Sequence, residues 1–204
     1  MSKSVTVQIA LDDLELLRST GYALCFARCV DNSYNVIWQS FADYLASNSF
    51  GWSDQFKLFG TNVFNAGEPM GSRTNAVDIS LCQQATLDAS GVLGAAMQGG
   101  TSDCITMINQ YGPIHPALIC TSTGPDAVAR ATPIYVARKA IVQGSAPLHP
   151  VDKIQVWFQQ NAKPRMMLLE AVSNAIVVDL TNADSASVLY QNGNWITPVS
   201  PPQS

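Results

Sequence analysis

Between Tyr34 and Phe64 the chain reads YNVIWQSFADYLASNSFGWSDQFKLFGTNVF, and nine of its seventeen aromatic residues fall in these 31 positions. Large rings bury more surface than other side chains and settle in offset or edge-on contact. A concentration of this kind marks a core or a ligand cavity. Within it, Val36-Ile37-Trp38 sets bulky groups side by side, as Val156-Trp157-Phe158 does further on. Successive side chains of a strand point to opposite faces. Strands built on either triplet are apolar on both faces, so the second face needs a cover: a helix, a partner subunit in a homodimer, or a bound apolar molecule. Plain core packing of a large sandwich answers the same pattern, because folded surfaces tolerate exposed apolar groups.

Upstream, Val5, Val7 and Ile9 alternate as a half-buried strand does. The string LDDLELLRSTG reads as a short helix, with Asp12 or Asp13 to cap its start, leucines at 11, 14 and 17, and Gly21 to end it. Such a helix covers only about 14 Å of surface. YALCFARCV returns as a strand, Asp31-Asn32-Ser33 as a turn, and residues 34–40 as its hairpin partner. One helical turn is expected over 41–46, then one bent strand or two over 50–64 with Gly60 at the bend.

Residues 65–75 are a loop by their glycines and proline, and shorter strands follow to 197, among them 175–180 with Asp179 facing outward. Residues 166–172 fit either strand or helix, and the tail 199–204 is expected to be disordered. About ten to twelve short strands, one helix and no βα alternation describe a mostly β protein. The expectation is a single-domain antiparallel β-sandwich, or flattened barrel, over residues 1–198, with one short N-terminal helix and no parallel sheet.

Charged residues make up 13% of the chain and hydrophobic ones 47%, with a net charge of −4 and no basic run longer than two. Nucleic acid and anionic membranes have no electrostatic footprint here, and no apolar run reaches the 18 residues of a transmembrane helix. Five cysteines without an export signal read as reduced thiols in a cytoplasmic protein. Cys25 and Cys29 find no completing pair, so no metal site is expected. The nucleophile elbow, the dinucleotide fingerprint, the phosphate loop and the calcium loop are all missing. The carboxylates weighed as an acid–base pair, Asp12, Asp13, Glu15, Glu68, Asp78, Asp152, Glu170 and Asp179, stand in no context that forces burial. His115 and His149 each precede a proline and sit in stiff, extended loops.

The strings YNVIW (34–38), LFGTNVF (58–64), YGPIHP (111–116) and VWF (156–158) together resemble a group of fungal, mushroom pigment-binding chromoprotein-like β proteins of about this length. The resemblance implies a carrier of a conjugated, largely apolar pigment and carries over no residue roles. From the residues themselves the leading expectation is a non-enzymatic binding protein for an elongated apolar small molecule, a non-covalently held pigment being one such guest. Trp38, Phe41, Trp52, Phe56 and Trp157 would form the walls of its groove, with Tyr111 and His115 offering hydrogen bonds to a polar end. Two rivals stand beside it, with a purely structural storage role as a third possibility. A lectin or pore-forming β-sandwich would carry its aromatics as a surface patch instead of a cavity. A hydrolase or lyase would centre on His115.

Overall fold

The structure, a computed structural model, describes residues 2–62, 74–168 and 172–197. Phe64, Glu68, Glu170, most of the expected 65–75 loop and the 199–204 tail lie outside the described residues. The chain is mostly β, with one short helix and several sheets, none closed into a barrel. The elements are β1 (Ser2–Ile9), α1 (Leu11–Ser19), β2 (Tyr22–Val30), β3 (Gln39–Phe41), β4 (Ser47–Thr61), β5 (Val77–Ile79), β6 (Gln83–Leu87), β7 (Met97–Gln98) and β8 (Ile105–Asn109). They continue as β9 (His115–Thr123), β10 (Ala129–Val136), β11 (Gly144–Leu148), β12 (Pro150–Gln160), β13 (Ala175–Asp179), β14 (Ser185–Gln191) and β15 (Asn194–Ile196). The large sheet runs β10-β9-β4-β1-β14-β15, with β5 also on β4; the second is β13-β12-β2-β3 and the third β11-β8-β6-β7.

Two pairings overturn the expectation of a wholly antiparallel protein: β1 runs parallel to β14, and β6 parallel to β8. Parallel neighbours need a long connection and not necessarily a helical one. β1 and β14 come from the two ends of the chain, and β7 lies in the link between β6 and β8, so a βα pattern was never required. The helix begins at Leu11 and ends before Gly21, whose φ of +74° takes the left-handed turn at its C-terminus. Ala10, not an aspartate, holds the N-cap position. Asp13 instead accepts the N–H groups of Asn192 and Gly193 at 2.8 and 3.0 Å, tying the helix to the β14–β15 turn.

β2 explains the core. Leu24, Phe26, Arg28 and Val30 occupy one phase, Ala23, Cys25, Ala27 and Cys29 the other, and all eight are buried. The large phase meets the large sheet. Phe26 stacks on Phe50 of β4 with centroids 4.2 Å apart, and Trp38 stands edge-on to Phe50 at 5.1 Å. The small phase leaves room for Trp157 of β12, which lies directly opposite Cys25.

That second face is covered by the chain itself. Of residues 34–40, the expected hairpin partner of β2, only 38–40 reach it, Trp38 N–H donating to Phe26 O at 2.8 Å and Gln39 and Ser40 pairing within β3; residues 34–37 do not. They zip onto 165–168 instead: Ile37 N–H donates to Met166 O at 2.9 Å, Arg165 N–H to Ile37 O at 2.8 Å, and Leu168 N–H to Asn35 O at 2.8 Å. Ile37, Met166 and Leu168 close over Trp157, while Val36 and Met167 pack against Phe59, Ala117 and Val136 of the large sheet. Past Phe41, the last residue of β3, residues 42–46 run as bends and irregular chain and not as a helical turn. β4 runs through Gly60 without a break, and a Cβ there would meet Ile114 Cγ1 at 2.6 Å.

Phe26→Ala should therefore cost about 3–5 kcal/mol in urea unfolding with an unchanged m-value, whereas Cys25→Ala on the small phase should cost about 1 kcal/mol.

Candidate functional site

Two strands of this fold are interrupted at the same place. In β4 against β9, Trp52 lies opposite Ser122 and Phe56 opposite Cys120; in β12 against β2, Pro150 lies opposite Val30 and Ile154 opposite Arg28. Each strand thus carries a bulge, a device that re-aims side chains and gathers near functional sites. The first bulge holds Asp54 and the second Asp152. Both carboxylates converge on Arg28, whose Nη2 donates to Asp54 Oδ1 at 2.6 Å and to Asp152 Oδ1 at 3.2 Å. Its Nη1 donates to Cys120 Sγ at 3.2 Å, its Nε to Val151 O at 3.4 Å, and its plane lies 4.9 Å from the Phe56 centroid. Lys3 extends the network, with Nζ 3.8 Å from Asp152 Oδ2 and donating to Leu180 O and Ala183 O.

Asp54 and Phe56 bring the network to an open cleft of about 720 Å³, lined also by Gln55, Lys57, Asp78, Ser80, Gln83 and Thr121, with Ile79, Ala95 and Ala96. A smaller hollow of about 220 Å³ shares Asp54 and Phe56 with it and reaches Arg28, Asp103, Asp152 and Thr181. Strands of all three sheets contribute. Lys57 and Asp78 pair between the adjacent strands β4 and β5 on one wall of the cleft, at 2.7 Å. The lining is polar, with carboxylates, amides and hydroxyls around a few apolar patches.

The rings expected to wall a ligand groove lie elsewhere or inside. Trp38 and Trp157 are fully buried, and their indole N–H groups donate to Cys120 O at 3.3 Å and Gln159 Oε1 at 2.9 Å. Trp52 is buried against Trp38 and Phe50, and its Nε1 has no hydrogen-bond partner among the described residues. Phe41 is half-buried beneath the Arg130 guanidinium and edge-on to Phe26. Of the five, Phe56 alone lines the cleft, and it is only 2% exposed. Tyr111 covers Gly91 in a separate hollow of about 110 Å³, and His115 opens β9 with Nδ1 2.7 Å from Ala137 O. The structure does not gather these seven residues around one cavity.

Arg28, Asp54 and Lys3 were not foreseen. Arg28 had a signal: it stands in the large, apolar phase of YALCFARCV. Asp179 does face outward as expected, its carboxyl held well below the usual range by the Thr181 hydroxyl and by Lys153. No group of three His, Cys, Asp or Glu among the described residues is placed to hold a metal ion. Burial pushes the Cys25 thiol up to about 12 and Cys120 up to about 11, the latter against the pull of Arg28, while Cys82 is exposed. No helix among the described residues is long and apolar enough to cross a membrane. Comparison with protein-family models, with curated proteins and with solved structures finds no match.

Two outcomes follow from this geometry. Arg28→Met leaves two carboxylates facing each other and should cost roughly 3 kcal/mol or more, while Asp54→Asn, at a 40% exposed side chain, should cost about 1 kcal/mol; chemical denaturation measures both. An aromatic disulfide reagent should label Cys82 alone in the native protein, and all five thiols once urea unfolds the chain.

Proposed function

We propose that this chain is a non-enzymatic binding protein, built as a sandwich of the large and second sheets, that takes a small polar ligand carrying a positive charge in the cleft beside Asp54. The observation that supports this most is the contrast within one ion pair. The Arg28 side chain is 2% exposed, whereas its partner Asp54 is 40% exposed and borders both hollows. A buried guanidinium fixes a carboxylate that still faces solvent, which is how a preorganised polar contact is made. Asp54 and Asp78 line the cleft against Lys57, and the adjoining hollow adds Asp103 and Asp152 against Arg28, so the two hollows together favour a cation. Gln55, Gln83, Ser80 and Thr121 supply acceptors and donors around it, and about 720 Å³ suits a metabolite-sized guest.

The case for an elongated apolar pigment rested on strands with bulky residues on both faces. Those residues are packed against the protein's own segments, and the cleft offers charge and hydrogen bonds in place of aromatic walls. A reduced, cytosolic setting belongs to the same proposal, since the five cysteines are unpaired and four are buried.

Thermal-shift measurements at fixed ionic strength test it. Arginine and spermidine should raise the Tm of the native protein by several degrees near saturation, as expected for mass-action stabilisation, and should leave Asp54→Asn unmoved; glucose and glutamate should shift neither. Equal shifts in the two proteins, or none with either amine, would overturn the reading. Protein purified from its source should be colourless and carry its sequence mass, whereas a chromophore released by denaturant would restore the pigment carrier.

A further inference from the structure

At the other end of the β2–β12 pair the chain presents a surface of different chemistry. Phe158 is half-buried and lies parallel to Trp195 at 5.5 Å; Tyr190 stands edge-on to both, at 4.8 and 4.9 Å, and Tyr44 leans on Phe158 at 5.6 Å. The ladder is held by hydrogen bonds. Trp195 Nε1 donates to Asn174 O at 3.1 Å, Asn174 Nδ2 to Tyr190 OH at 3.3 Å and to Gly193 O at 3.1 Å, and Tyr44 OH to Tyr22 O at 3.0 Å. Beside it opens a groove of about 510 Å³ lined by Tyr22, Phe158, Gln159, Gln160, Asn161 and Ser173, together with Val172.

We propose that this groove is a second binding site, independent of the Asp54 cleft, for a neutral carbohydrate. Among the described residues its lining contains no Asp, Glu, Lys or Arg, so none of them offers a phosphate, a sulfated glycan or a cation a counter-charge. It does contain what a pyranose uses. Rings offer flat apolar surface to the sugar's C–H face, and amides offer a donor and an acceptor side by side to neighbouring hydroxyls. The remaining valences are of both kinds. Gln160 spends Nε2 on Thr20 O, leaving its oxygen; Gln159 spends its oxygen on the Trp157 indole, leaving its NH2; and Asn161 stands exposed in a left-handed turn at φ +56°. Rings and amides already fixed by the fold lose little freedom on binding.

The test is a glycan array carrying neutral, sialylated and sulfated glycans, followed by saturation-transfer NMR with cellobiose, chitobiose and lactose. The expected result is binding of neutral glycans without preference for anionic ones, and saturation of the ring C–H protons of at least one disaccharide. Gln160→Ala and Asn161→Gly, both on exposed residues and the glycine keeping the left-handed turn at 161 open, should each weaken binding by about tenfold while the protein stays folded by urea unfolding, the effect of losing a hydrogen bond or two. Asp54→Asn should bind the disaccharide like the native protein. No signal from any neutral glycan, a preference for sialylated or sulfated ones, or undiminished binding in the Gln160/Asn161 double variant would each overturn the proposal.

Discussion

A guanidinium buried among rings constrains the middle of this protein. Arg28 occupies the phase of β2 that also carries Leu24, Phe26 and Val30, and its side chain is 2% exposed. An unpaired charge in that position would cost far more than any single contact returns. Carboxylates must therefore reach it from strands whose regular pleat does not deliver them. The bulges in β4 and β12 solve the geometry by turning Asp54 and Asp152 inward at matching levels. The β4 bulge also sets Asp54 and Phe56 on the border of the cleft. The ion pair and one border of the cleft thus share a single residue, Asp54, held by the cation in the core.

The same strand accounts for the burial of Trp38 and Trp157 away from the Asp54 cleft. Bulky residues on both faces demand a cover, and the alternation of large and small side chains in β2 determines what the cover can be. Ala23, Cys25 and Ala27 are too short to fill the space behind the sheet, so Trp157 lies across them and Ile37, Met166 and Leu168 close over it. Nothing in that arrangement needs a guest. The unpartnered indole N–H of Trp52 remains as a local cost, of about 1–3 kcal/mol for a buried donor, within an otherwise well-packed ring cluster.

What could be read from the residues was local. The helix from Leu11, the alternation of Val5, Val7 and Ile9, and the outward Asp179 depend on neighbours a few positions apart, and those readings hold. What escaped was set by distant partners. Residues 35–37 looked like a hairpin arm because nothing nearby announces 165–168 as their mate. Gly60 looked like a hinge, yet its lack of a Cβ serves the Ile114 side chain. β11 contains Pro147 and no apolar alternation, which an edge strand can afford. Asp54 and Asp152 lie 26 and 124 positions from Arg28. A bulge has no residue signature, so only the arginine's phase hinted at the site.

The two proposed sites occupy opposite ends of one strand pair, with Gln160 opposite Tyr22 at one end and Pro150 opposite Val30 at the other. Tyr22 and Arg28 are separated along β2 by about 20 Å at the rise of an extended strand. That is roughly twice the screening length at 0.1 M salt, so the field of the acidic cleft is spent before it reaches the neutral groove. The ring cluster between them is packed without an evident alternative arrangement, and coupling between distant sites requires an element with two states to bias. Charge at one mouth and uncharged described residues at the other would therefore let the two proposed ligand chemistries coexist on a single small scaffold.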